Sequence, residues 1–161
     1  MSDARLEARV GQVLRARAWK IGAAESCTGG LVMHRLTNIP GSSEYVVGGV
    51  VAYSNAVKQA LLKVEAAALV TYGAVSEIVA AQMATGARTL LGVDVAVSLT
   101  GIAGPGGGTP EKPVGLVYIG VAGPDEEVVV ERHVWSGDRE AIKAASAEAA
   151  LALVLARIGG E

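Results

Sequence analysis

The chain has 161 residues, 51% of them apolar and 19% charged, and its formal net charge is −2. That balance is enough for one domain with a substantial core, spanning 1–161, and excludes a disordered chain. Cys27 is the sole cysteine, which excludes a disulfide scaffold, and the near-neutral charge supplies no field to attract nucleic acid or an anionic membrane.

The spacing of Leu6, Val10, Val13 and Leu14 predicts a first helix over 2–18, capped by Ser2 or Asp3, with Glu7 and Arg9 on its solvated side. This opening stretch is charged throughout and contains no apolar h-region, so a cytoplasmic protein is expected. A short strand over 19–24 runs into Glu25-Ser26-Cys27-Thr28-Gly29-Gly30, and helical spacing resumes over 31–37. After a turn at 38–43, residues 45–53 (YVVGGVVAY) are apolar on both faces, the pattern of a central strand. Ser54 or Asn55 caps the next helix, which carries Val57, Leu61 and Leu62. Helices over 65–72 and 76–91 and a strand over 93–99 follow.

Residues 101–113 form a loop rich in glycine and proline. Strands over 114–122 and 127–135 are joined as a hairpin by Gly123-Pro124-Asp125-Glu126, and a last helix runs to about 158. Together these elements predict a single-domain three-layer α/β/α sandwich with a mixed central sheet, since the hairpin breaks an all-parallel arrangement.

Open α/β sheets bind ligands at the carboxyl ends of their strands, and two junctions there stand out. The first, residues 24–30, places hydroxyls, a thiol and free N–H groups at a helix start; the same residues also suit a plain helix cap. The second begins at Thr100 and runs through Gly101, Gly104 and Gly106, with five glycines among residues 101–108. Successive N–H groups in such a loop cradle an anion or a developing oxyanion. The loop matches neither a P-loop nor a dinucleotide fingerprint. A binding role is favoured over a bare surface loop because it directly follows an apolar strand.

Only Cys27, His34 and His133 offer nitrogen or sulfur to a metal, in no recognised ligand spacing, so neither a catalytic metal nor a cofactor is expected. His34 lies roughly 10 Å beyond Cys27 along a helix, too far for a dyad. What remains is a serine activated by a lysine. Lys58 is the candidate because Tyr53-Ser54-Asn55 stands where an apolar strand breaks into its helix, although alone it reads as an exposed helix lysine.

Five blocks, AESCTGG, NIPGSSEYVVGGVVAYSNAVKQALLKV, YGAVSE, TGIAGPGGGTPEKPVGLVYIGVA and SGDRE, together resemble the CinA C-terminal domain family over about residues 3–158. The resemblance implies hydrolysis of the amide of nicotinamide mononucleotide to nicotinic acid mononucleotide and ammonia. It implies Ser26 as nucleophile, Lys58 and Tyr53 as its activators, and a substrate pocket from Thr28, Gly29, Gly30, Thr100, Gly101, Gly104, Gly106 and Arg139.

Glu25, next to Ser26, is expected to point away from Lys58 or to pair with another cation. Tyr53 is expected to relay the proton or to hold Lys58, and Gly29, Gly30 or Gly101 to supply oxyanion donors. A small nucleotide partner and a homodimer are also expected, with no nucleic acid or membrane. The alternative is a non-catalytic nucleotide-sensing or partner-binding module of the same family.

Overall fold

The computed structural model describes residues 5–159. In chain order the elements are α1 (Leu6–Arg17), β1 (Ile21–Glu25), α2 (Leu31–Thr37), a single 3-10 turn (Ser42–Glu44), β2 (Val46–Val51), α3 (Asn55–Leu62), α4 (Ala66–Tyr72), α5 (Glu77–Leu91), β3 (Val95–Gly101), β4 (Leu116–Ala122), β5 (Val128–Val134) and α6 (Arg139–Gly159). The cap assigned to Ser2 or Asp3 lies outside the described residues. Among the described residues, no helix is long and apolar enough to cross a membrane.

Five strands form one sheet in the order β2-β1-β3-β4-β5. β1 pairs in parallel with both β2 and β3, whereas β4 is antiparallel to β3 and β5. The first three strands are joined by helical crossovers, and the last two by the expected hairpin, closed where Gly123 N–H donates to the Glu127 carbonyl at 3.0 Å. Helices cover both faces. Val10, Leu14, Leu36 and Leu151 of α1, α2 and α6 pack with Val97 and Ile119 on one side of the sheet. Leu62, Val79, Met83 and Ala87 of α3 and α5 pack with Ala96 on the other. The three-layer sandwich with a mixed sheet is as the sequence predicts.

Two local expectations are overturned. The stretch over 45–53 is not a central strand: β2 is an edge strand whose residues alternate between half-buried and exposed, with Val47 and Val51 about half exposed at 51% and 50%. The crossover through α3, α4 and α5 carries the chain to the far side of β1, and the hairpin extends the sheet further that way, so β2 is left outermost. Glu7 is not solvated but buried. Arg35 of α2 donates to its carboxylate at 2.7 and 3.2 Å, and the same guanidinium reaches Glu148 of α6 at 2.6 Å, so one cation ties three helices together.

α3 lies unusually close to α5. A Cβ at Gly86 would fall 1.9 Å from the Leu62 carbonyl oxygen, so only glycine admits this crossing. The contact fixes the helix that carries Lys58.

Candidate active site

The carboxyl ends of β1, β2 and β3 open on the same edge of the sheet and deliver three chain segments to one place. Ser26 follows β1 directly and is anchored by its own N–H, which donates to the Leu99 carbonyl of β3 at 3.0 Å. After β2, Ser54 caps α3 by accepting from the Val57 N–H at 3.1 Å. That cap sets the first turn of α3 so that Lys58 points inward beneath the strand ends.

Lys58 is 1% exposed, not the solvated helix lysine that its position alone suggests. Its Nζ is 3.2 Å from Ser26 Oγ, 2.8 Å from the Ala52 carbonyl and 3.3 Å from the Tyr53 carbonyl. No carboxylate forms an ion pair with it among the described residues. Burial therefore pulls the Lys58 ammonium below its ordinary value. The Cys27 thiol is also buried, which pushes it up to about 11. At neutral pH only about one Cys27 in 10⁴ is then thiolate.

A cleft of about 290 Å³ opens above this pair. Thr100, Gly101, Gly104, Gly106, Tyr53 and Arg139 line it together with Ser26 and Lys58. The Thr100 hydroxyl donates to the Ala74 carbonyl at 2.8 Å, tying the glycine loop to the segment before α5. Arg139, at the start of α6, donates to the Gly104 carbonyl at 2.7 Å and to the Tyr53 hydroxyl at 3.3 Å. It has no carboxylate partner among the described residues, so its charge faces the cleft uncompensated.

Three expected site residues stand elsewhere. Thr28, Gly29 and Gly30 border a separate depression with His34 and Lys143, because the chain turns away from the cleft after Cys27 to begin α2. Their donors are also occupied. The Thr28 hydroxyl and the Gly30 N–H donate to the Glu25 carboxylate at 2.6 and 3.2 Å, and the Gly29 N–H to the Ser26 carbonyl at 3.1 Å. Gly29 and Gly30 are thus excluded as oxyanion donors, and of the three candidates Gly101 is left.

Tyr53 is 63% exposed and its hydroxyl meets Arg139, so no hydrogen bond links that hydroxyl to Lys58. Only its main-chain carbonyl serves the lysine. Sequence reasoning missed Asn55, Ala74 and Val75 as cleft walls. Asn55 had a signal in its place beside Ser54 at the strand break; Ala74 and Val75 had one only in the block YGAVSE, which carries the resemblance.

Fold and site define a class: an α/β/α protein with a buried lysine against a serine at the carboxyl ends of parallel strands, under a cleft lined by a glycine loop and an arginine. The chain belongs to the CinA C-terminal domain family, whose model matches residues 3–158. It is 49% identical over 146 residues to the nicotinamide-nucleotide amidohydrolase PncC of Enterobacter agglomerans, covering 89% of each chain. A CinA-like protein of Salinibacter ruber is 54% identical over 149 residues, 92% of this chain. The chain spans only 36% of the length of that relative and 36% of one from Moorella thermoacetica. A CinA-superfamily protein from Klebsiella pneumoniae superposes with a TM-score of 0.92 at 34% identity, covering 97% of both chains.

Proposed function

We propose that this protein is a serine amidohydrolase that converts nicotinamide mononucleotide and water to nicotinic acid mononucleotide and ammonia. One observation carries the reading: the buried Lys58 Nζ lies 3.2 Å from Ser26 Oγ at the floor of the cleft. The PncC relative, alike over 89% of both chains, supports the substrate.

As a neutral amine, Lys58 donates its two N–H groups to the Ala52 and Tyr53 carbonyls. Its lone pair is then free to accept the Ser26 hydroxyl proton. A free lysine is neutral in only about one molecule in two thousand at pH 7, so the lowering by burial is what makes this base available. Ser26 Oγ attacks the amide carbon as its proton passes to Nζ, and the oxyanion forms beside the Gly101 N–H. Collapse breaks the C–N bond, and the proton on Nζ leaves with the nitrogen as ammonia. Water, deprotonated by the same amine, cleaves the resulting ester to the carboxylate and restores Ser26. Arg139 suits the substrate phosphate by paired N–H donation.

A homodimer belongs to the same proposal. Leu61, Ile78 and Leu90 are partly exposed along one groove between α3 and α5, an apolar face of the kind subunits cover.

Incubation with nicotinamide mononucleotide tests the function, with ammonia and nicotinic acid mononucleotide measured together. The expected result is stoichiometric release by the wild type and none by Ser26→Ala with its fold intact. Turnover retained in Ser26→Ala would reassign the nucleophile. Binding without turnover in the wild type would favour the sensing module. Sedimentation of the wild type reads the dimer, and a monomer at micromolar concentration would refute it.

A further inference from the structure

We propose that Glu25 is a positioning residue: its carboxylate, fastened across the start of α2, holds the loop 26–28 so that Ser26 Oγ meets Lys58. The proposal rests on the amidohydrolase reading for its catalytic consequence. The geometry behind it stands independently.

Glu25 is the last residue of β1 and is 1% exposed. A carboxylate so buried ordinarily pairs with a cation, yet among the described residues none lies within ion-pair distance of it. Its partners are neutral donors. Oε1 accepts from the Thr28 hydroxyl at 2.6 Å, the Val32 N–H at 3.0 Å and the Gly30 N–H at 3.2 Å, and Oε2 accepts from the Met33 N–H at 3.1 Å. These include N–H groups that the first turn of a helix leaves without intrahelical acceptors. The positive end of the helix offsets the negative charge locally. A carboxylate beside the nucleophile would otherwise favour the charged form of Lys58. Turned into α2, it is held away from that amine.

The loop 26–28 is therefore closed by one residue, through its backbone at one end and its side chain at the other. Glu25 precedes it in the chain, and its carboxylate grips Thr28 within the loop and Gly30 just behind it. Just past the loop, the Gly29 N–H donates back to the Ser26 carbonyl at 3.1 Å. The Glu25 main chain reaches the other reactive group as well. Its carbonyl accepts from the Ala52 N–H at 2.7 Å, and the Ala52 carbonyl in turn accepts from Lys58 Nζ at 2.8 Å. One residue thus sits between the attachment of the nucleophile and that of the base.

The donor set needs two acceptor oxygens at this reach. A glutamine offers one oxygen and turns an NH₂ against backbone N–H groups, so at least one of the four bonds is lost. An aspartate keeps both oxygens but falls about 1.5 Å short, the length of one C–C bond.

The test uses Glu25→Gln, Glu25→Asp and Thr28→Val in the full chain, with nicotinamide mononucleotide as substrate. Glu25→Gln is expected to lower kcat about 100-fold, as a nucleophile displaced by roughly 1 Å would. KM should stay within about threefold, because Arg139 and the glycine loop are untouched. Thr28→Val, which removes only the 2.6 Å bond, should lower kcat by less, and Glu25→Asp should recover part of the loss. Amide exchange at Gly30, Val32 and Met33 should quicken in Glu25→Gln by roughly tenfold or more.

A merely structural Glu25 would lower the melting temperature and leave kcat per folded molecule unchanged, which overturns the proposal. If Glu25→Gln does not fold, Thr28→Val carries the same comparison of kcat with KM. Should the wild type fail to hydrolyse the nucleotide, the amidohydrolase reading falls. A crystal structure of the Glu25→Gln or Thr28→Val variant then decides the positioning on geometry alone. Ser26 Oγ drawn away from Lys58 Nζ upholds it, and the pair still at 3.2 Å refutes it.

Discussion

Lys58 Nζ and Ser26 Oγ stand 3.2 Å apart although 32 residues separate them in the chain. Each is delivered by a different parallel strand to the same edge of the sheet. Burial pulls the Lys58 ammonium below its ordinary value, so it loses its proton at a lower pH than a free lysine does. The free-base fraction, and with it kcat, is therefore expected to rise through that lowered value and level off above it. The midpoint of this limb should lie below about 10.4, the ordinary lysine value. Lys58→Arg, which stays charged, should lose about 10²- to 10⁴-fold in kcat across the whole range. A profile with no rising limb anywhere below that ordinary value, over the range in which the protein stays folded, would contradict Lys58 as the base.

Arg139 bridges the glycine loop and Tyr53 while keeping its charge uncompensated over the cleft. Arg139→Ala is expected to raise KM for the mononucleotide by roughly 10- to 100-fold, the loss of charge-assisted hydrogen bonds worth about 1.5–3 kcal/mol. The nucleoside that lacks the phosphate should be hydrolysed poorly by the wild type and no worse by the variant. Equal losses on both substrates would mean that Arg139 acts by bracing Tyr53 and Gly104 rather than by holding phosphate. Steady-state kinetics on the two substrates separates these outcomes.

The Ser26–Lys58 pair was legible because both residues fall where an apolar strand gives way to a helix, in blocks that carry the family resemblance. The edge position of β2 was not. A run such as YVVGGVV is equally apolar with one face covered or two, and what strips a neighbour from β2 is the length of the crossover after it. Tyr53 was placed correctly at the strand end but aimed wrongly, since its direction depends on Arg139, 86 residues away. Thr28, Gly29 and Gly30 stand away from the cleft because the chain turns aside after Cys27, and that turn occupies their donors, Gly29 on the Ser26 carbonyl. The Glu25 carboxylate takes the Thr28 and Gly30 donors, and sequence reading weighed that residue only as an unwelcome charge. A clamp of this kind, set by where one side chain turns over the next three to eight residues, leaves no periodicity to detect.

The ion pair between Glu7 and Arg35 makes the fold sensitive to acid. Burial pushes the Glu7 carboxyl up, but the Arg35 guanidinium at 2.7 Å, joined by a backbone hydrogen bond and the Arg5 charge, more than offsets this and holds it below the usual carboxylate range. The pair's contribution is then fully present above the unfolded value of about 4.3 and is lost as pH falls through the lower folded value. Arg35→Ala leaves a buried carboxylate without its cation, which should cost about 3 kcal/mol near neutral pH. In that variant burial is opposed only by the Glu7 backbone hydrogen bond and the Arg5 charge, so acid sensitivity should move to higher pH. Urea unfolding across the acid range checks both points; a variant as acid-stable as the wild type would refute the link.

Packing and chemistry meet at Gly86, far from the cleft. Its missing side chain lets α5 approach the Leu62 carbonyl at the end of α3, the helix that also carries Lys58. A methyl group at 1.9 Å from a backbone oxygen cannot be absorbed by a side-chain rotation, so α3 must shift as a unit. Gly86→Ala is therefore expected to destabilise the protein by about 1–3 kcal/mol, the range for overpacking a close contact. Activity should fall more than the loss of folded protein explains, since a shift of roughly 1 Å in α3 moves Nζ away from Ser26 Oγ. Melting temperature and kcat per folded molecule, measured on the same sample, read the two effects separately. Normal kcat in a destabilised variant would show that α3 holds Lys58 without help from α5.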